Sequence, residues 1–167
     1  MHALIDVLAG LAILANAVIY GTDVFGAIVL RPAIGDRTLT RLLGHIHRIA
    51  DRRFPAIGAG GLVAAVAMTA VAAASEHWMS AAAGALAALA LIAFIVIYNR
   101  VSKPVNTTLT AAALADRVPA DARQLQACWD SVINARVALQ TLALAHYASR
   151  SPRHDHTAVA VRRRLFR

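Results

Sequence analysis

Three polar residues interrupt an apolar stretch at helical spacing: Asn16, Tyr20 and Asp23, at i, i+4 and i+7. On a helix they form one stripe. The apolar run closes at Leu30, which leaves Asp23 ~10 Å inside its end. A carboxylate at that depth costs at least ~2.5 kcal/mol on insertion scales, so it requires a partner, a proton or a wet cavity. Late in the chain, Trp129, Asp130, Asn134, Arg136 and Gln140 punctuate another apolar stretch. Asp130 and Asn134 share one helical face, continued by Thr141, while Arg136 and Gln140 share another with Trp129. Such groups suit proton abstraction, with Asp23 as the general base. A developing anion then needs a positive or hydrogen-bonding partner, for which Arg136, Asn134 and Asn106 are candidates. The candidate catalytic set is therefore Asp23, Arg136 and Asn134, with Asn16, Tyr20, Asn106, Trp129 and Asp130 lining the substrate.

Each of these residues also has a purely structural role open to it. Asp23 and Arg136 can form a buried ion pair that fixes helix register, and Arg136 can snorkel to the interface. Asn16 and Tyr20 can be interhelical hydrogen-bond glue. A possible metal set lies in "GHIHRIAD": His47 and Asp51 are one turn apart, with His45 beside them. An interfacial helix needs polar residues on that face in any case. The tail histidines His154 and His156 read as incidental.

The elements that must position these groups follow from composition. The chain has 167 residues, 59% of them hydrophobic and only 16% charged. Its mean hydropathy is +0.58, too apolar for a soluble domain of this length. Four long apolar runs cover residues 3–30, 54–74, 78–98 and 127–148. Each reaches the ~20 residues that a helix needs to cross a bilayer, and Ala/Leu-rich runs do not alternate as membrane strands do. The expected fold is all-α, an integral membrane four-helix bundle. A cleaved signal peptide ending near Ala17 is the rival for the first run, but "MHALID" carries no Lys or Arg and the apolar run continues past that point. The single Cys128 excludes an internal disulfide.

The net charge of +8 does not imply nucleic acid. All basic residues except Arg136 fall in connections, membrane flanks and the tail, where anionic headgroups account for them. Arg31, Arg37, Arg41, Arg48, Arg52 and Arg53 crowd the first connection, and Arg100, Lys103, Arg117 and Arg123 the third, residues 99–126. The positive-inside rule places both in the cytoplasm, although the basic tail, residues 149–167 and expected to be disordered, argues the other way. Helix one's stripe and the polar start of helix four then meet in one leaflet.

The first connection is itself patterned. Leu39, Leu42, Leu43, Ile46 and Ile49 share a face opposite Arg41, His45, Arg48 and Arg52, which predicts an amphipathic interfacial helix over 38–53 turning into helix two at Pro55. Helix two opens on "GAGG" at 58–61, and helix three is mostly Ala and Leu. Both read as close-packing elements.

The chain resembles the anthrone-oxygenase-like family of small four-helix membrane proteins. The resemblance rests on Gly21, Phe25 and Pro32 in helix one, "NRVSKPVNTTL" at 99–109, and Trp129, Asn134 and Arg136 in helix four. It spans the chain to about Ala148, and this sequence departs from it in "GTDVF" and "HRIADRR". It implies an oxygenase of a small hydrophobic, aromatic substrate, and a pocket between helix one's stripe and helix four that opens to one leaflet would let such a substrate enter sideways. No cofactor comes with it; none, haem or a transition metal is compatible, with His45 or His47 as the ligand. A transporter or a non-catalytic accessory protein is the alternative, without the broken helices or internal repeat of a transporter. The expected partners are the bilayer and a hydrophobic ligand, with no nucleic acid and a homo-oligomer left open.

Overall fold

The computed structural model describes residues 2–31 and 37–148; the basic tail lies outside the described residues. The described residues are helical apart from the connections at 75–77 and 115–121, and none of them is in a strand. Helix α1, His2–Phe25, continues through a π-helical turn, Gly26–Leu30. Helix α2, Arg37–Ala74, is followed by α3, Trp78–Ile97. A second π-helical turn, Tyr98–Ser102, carries α3 directly into α4, Lys103–Leu114. Helix α5, Ala122–Ala148, completes the described chain. Helix α1 packs on α2 and α5, and α3 packs on the same two, so the long helices close a ring.

Three of these helices, His2–Leu30, Arg41–Ala74 and Trp78–Leu114, are long and apolar enough to cross a membrane. Their outer faces agree, because Leu11, Leu14, Ile28, Val63, Leu89 and Ile92 are all exposed. Exposed apolar surface of this extent marks a face that meets a membrane or another protein. The interior is built the other way round. Ala12, Ala64, Ala65, Ala72, Ala81, Ala87, Ala88 and Ala143 pack around Met68, Leu91 and Tyr147. Small side chains let backbones approach, and in lipid this contact replaces the missing hydrophobic drive between helices. Gly84 lies against Met68 and Thr69, and Gly61 against Ala15.

The turn between α2 and α3 is closed by His77 N–H donating to Ala72 O at 2.9 Å and Glu76 N–H to Ala73 O at 3.1 Å, with Glu76 in the left-handed region at φ 58°. Asp116, at φ 52°, ends α4 with the same pair of bonds to Ala113 and Ala112. This 6→1 and 5→2 pattern satisfies carbonyls that would otherwise be left bare.

Two expectations change. The interfacial helix does not turn at Pro55; α2 runs unbroken for 38 residues with Pro55 inside it. Proline lacks the N–H that would bond to the Asp51 carbonyl, so one ladder bond is lost without a break in the helix. The third connection is much shorter than 99–126, because α4 is helical and buries Val105, Asn106, Leu109, Ala112 and Ala113 on one face, against α2. Pro104 sits in the first turn of α4, where its missing N–H costs nothing. Of the apolar face read for 38–53, Leu42, Ile46 and Ile49 are exposed, while Leu43 and Gly44 are buried and His47 and Asp51 half-buried toward the neighbouring helices.

Gly44 makes the α2–α4 contact possible. A Cβ there would lie 2.5 Å from Leu109 O and 2.6 Å from the Ala113 Cβ. Thr110 Oγ1 donates to Gly44 O at 3.0 Å across the same contact. Gly44→Ala must therefore push the helices apart, and a loss of about 1–3 kcal/mol is expected. Gly60→Ala, with nothing within 4 Å of its Cβ position, should be neutral. Unfolding in mixed micelles by SDS titration measures both, and equal midpoints for the two variants would contradict the close approach.

Candidate functional site

At the end of the ring opposite the alanine core, polar side chains from every helix meet. The buried stripe of α1 carries Asn16, Ile19 and Asp23, continued by Gly26. Asp23 forms a fork with Arg136 of α5: Nη2 donates to Oδ1 at 2.7 Å and Nε to Oδ2 at 3.2 Å. Gln140, one turn further along α5, donates from Nε2 to Asp23 Oδ2 at 2.7 Å. Asn16 Nδ2 donates to the Gln140 carbonyl at 3.1 Å. From the second π turn, Ser102 Oγ accepts from Arg136 Nη1 at 2.6 Å. Both charged groups are buried, Asp23 at 3% exposure and Arg136 at 6%.

Three rings surround the guanidinium carbon, with centroids at 5.1 Å for Phe94, 5.9 Å for Tyr98 and 5.7 Å for Trp129. A desolvated cation over aromatic faces gains up to about 2 kcal/mol per good contact. Trp129 reaches its place because α1 offers a glycine there; a Cβ on Gly26 would lie 3.2 Å from the indole. Both π turns thus serve the site, one clearing room for Trp129 and the other aiming Tyr98 and Ser102. Inserted residues of this kind re-aim side chains and recur at functional sites.

A second cluster adjoins the first. Asp51 Oδ1 accepts from Tyr98 Oη at 2.7 Å and from Asn106 Nδ2 at 3.1 Å, tying α2 to α3 and α4. His47, one turn before Asp51, stacks obliquely on Trp129 at a centroid distance of 6.2 Å. Among the described residues neither ring nitrogen of His47 is hydrogen-bonded, and the buried Trp129 Nε1, Asn106 Oδ1 and Gln140 Oε1 have no hydrogen-bond partner. Arg136 spends three N–H groups on Asp23 and Ser102 out of the five that a guanidinium carries.

The structure brings together Asp23, Arg136, Asn16 and Trp129 as the spacing implied, and adds Asn106 through Asp51. Tyr20 lies half-buried beside the stripe, because Ile19 takes the inward position at i+3. Asn134 is exposed on the outer face of α5 and cannot meet an anion at Arg136. Asp130 stands apart, paired with Arg31 at 3.6 Å and accepting from Gln126 at 2.9 Å. His45 is exposed while His47 turns inward. No three His, Cys, Asp or Glu side chains among the described residues could hold a metal ion together, so the set His45, His47 and Asp51 does not assemble. Residues i and i+2 of a helix point away from each other, which separates the two histidines.

Phe94, Tyr98, Ser102 and Gln140 enter the site without having been singled out for it. Gln140 had a signal in its shared face with Arg136; Ser102 had none. Comparison with protein-family profiles, curated proteins and solved structures finds no match for the chain. The class that fold and site define is an all-helical chain with three membrane-capable helices and a buried, aromatic-walled ion pair.

Asp23 and Arg136 form the kind of pair in which half a deletion is worse than a whole one. Asp23→Asn strands the guanidinium and should cost about 3–5 kcal/mol. Asp23→Leu combined with Arg136→Met should recover most of that loss. Folding free energies of the single and double variants decide the matter. An Asp23→Asn protein as stable as the parent would show that the fork contributes nothing to folding.

Proposed function

We propose that the chain is a four-helix integral membrane protein and an oxygenase-like enzyme that acts on a small hydrophobic, aromatic substrate beside Arg136. The observation that carries this reading is the guanidinium enclosed by Phe94, Tyr98 and Trp129, with the His47 imidazole against Trp129. Aromatic walls suit a flat apolar substrate. The resemblance to the anthrone-oxygenase-like family supports the reaction class.

The roles differ from those expected of the sequence. Asp23 has both oxygens engaged and acts as a positioning residue for Arg136. His47 is the proton acceptor, with Asp51 one turn away to balance the imidazolium. Arg136 stabilises the resulting carbanion or enolate through its two uncommitted N–H groups. Dioxygen then converts the activated methylene to a carbonyl: CH2 and O2 give C=O and H2O, with no external reductant. A non-catalytic membrane protein is the second reading, favoured by the closed geometry of the Asp23–Arg136 fork.

Helix α5 completes the bundle in this reading by turning Arg136 and Gln140 inward. Single-cysteine labelling in a Cys128→Ala background tests the topology: Glu76→Cys should label from one side of the membrane and Arg117→Cys from the other. Labelling of both from the same side would sink the four-span arrangement.

Anthrone, which has an acidic methylene between aromatic rings, is the probe for chemistry. Protein in nanodiscs should consume oxygen and release the corresponding carbonyl product. His47→Gln should lower kcat by about 10²-fold or more, the range of lost general-base catalysis, with its melting temperature unchanged. No oxygen uptake above protein-free nanodiscs, or a His47→Gln enzyme at full rate, would reject the enzymatic reading.

A further inference from the structure

Between α1, α2 and α3 lies a crevice lined by Asn16, Ile19, Gly58, Gly61, Leu91, Phe94 and Ile95. We propose that it is a binding site for a small apolar gas molecule, dioxygen in the chemistry above. Its volume is about 20 Å³, above the ~10–15 Å³ that one water-sized molecule needs and far below the ~150 Å³ of a cavity that takes benzene. An aromatic substrate is therefore excluded and a diatomic is not.

The lining decides between water and gas. A buried water needs two to four polar partners. Asn16 is the one polar side chain of the wall, and one of its amide N–H groups is given to the Gln140 carbonyl. The surface that faces the crevice is apolar. Apolar cavities of this kind stay dry and take up apolar guests such as xenon. The crevice exists because α2 presents Gly58 and Gly61 here. A Cβ on Gly58 would touch Ile19 Cδ1 at 3.4 Å, and one on Gly61 would press on the Ala15 Cβ at 3.0 Å.

Position ties the crevice to the ion pair. Phe94 forms part of its wall and also stacks over Arg136 at 5.1 Å, so one aromatic ring separates the gas from the guanidinium. The crevice also lies within the apolar stretches of three membrane-capable helices, where an apolar gas is concentrated by the surrounding lipid. That the gas is dioxygen rests on the oxidative reading; the affinity of the crevice for dioxygen does not.

The test uses dioxygen itself as a paramagnetic probe on methyl-labelled, full-length protein in nanodiscs. Methyl groups of Ile19, Leu91 and Ile95 should relax at least threefold faster under dioxygen than those of Ile133 and Leu109, which are buried elsewhere. Gly58→Ala, whose added methyl meets only ordinary contact, should at least halve that enhancement and leave Ile133 and Leu109 unchanged. Equal relaxation of the two groups overturns the proposal. So does an equal enhancement from a nitroxide on a lipid acyl chain, which would make the occupant lipid. Enhancement without anthrone turnover keeps the gas site and removes the oxygenase reading. Turnover without enhancement does the reverse, and in an active enzyme Gly58→Ala should raise KM for dioxygen several-fold at constant kcat.

Discussion

The fork between Asp23 and Arg136 is the constraint to which the rest of the structure answers. Each charge alone would cost about 2.5–3.5 kcal/mol at mid-span by insertion measures, and joining them removes most of that only if the remaining lone pairs and N–H groups are also met. This is why Gln140, Ser102 and Asn16 are where they are. Gln140 caps the carboxylate, Ser102 takes a third guanidinium N–H, and Asn16 secures the Gln140 turn of α5. The two π turns follow from the same demand. A regular helix through Tyr98–Ser102 would rotate either Tyr98 or Ser102 away, and a side chain at Gly26 would displace Trp129.

Around this fork the molecule divides into two unlike halves. At the α2–α3 turn end, alanines packed around Met68, Leu91 and Tyr147 bring backbones together. At the other end, a guanidinium, three aromatic rings and an imidazole need volume, and the helices carry π turns and glycines to supply it. Close packing holds the first half rigid. The second half keeps polar atoms that neighbouring side chains leave unbonded, and in lipid such atoms are expensive. A protein shaped by stability alone would have replaced them with hydrocarbon.

Helical periodicity made half of this site legible. Asn16 and Asp23 at i+7, and Trp129, Arg136 and Gln140 along one face, are read straight from spacing because both helices are regular where those residues lie. The missing half fails for identifiable reasons. In α2, Leu42, Ile46 and Ile49 are exposed while His47 and Asp51 turn toward the neighbouring helices; spacing marks the apolar and polar faces of this segment but does not say which residues at their border meet another helix. Asn134 has the hydrogen-bonding chemistry that an anion needs, but it lies on a different helical face from Arg136 and is exposed. The extent of α4 was hidden by Pro104 and its Thr and Asn neighbours, which suggest a loop until a π turn carries the helix past them.

The division of labour among the titratable groups follows from which of them are already spent. Asp23 accepts three hydrogen bonds from Arg136 and Gln140, and Asp51 accepts two from Tyr98 and Asn106. Carboxylates so committed are occupied in holding Arg136, Gln140, Tyr98 and Asn106 in place. His47 has no such commitment among the described residues. It touches an aromatic wall and stands one turn from a carboxylate that can balance its charge once protonated. In the proposed reaction the fixed pair therefore shapes the field, and the free imidazole moves the proton. On that proposal the residue that first draws the eye in the sequence, the lone aspartate in an apolar helix, holds Arg136 in place without taking the proton itself.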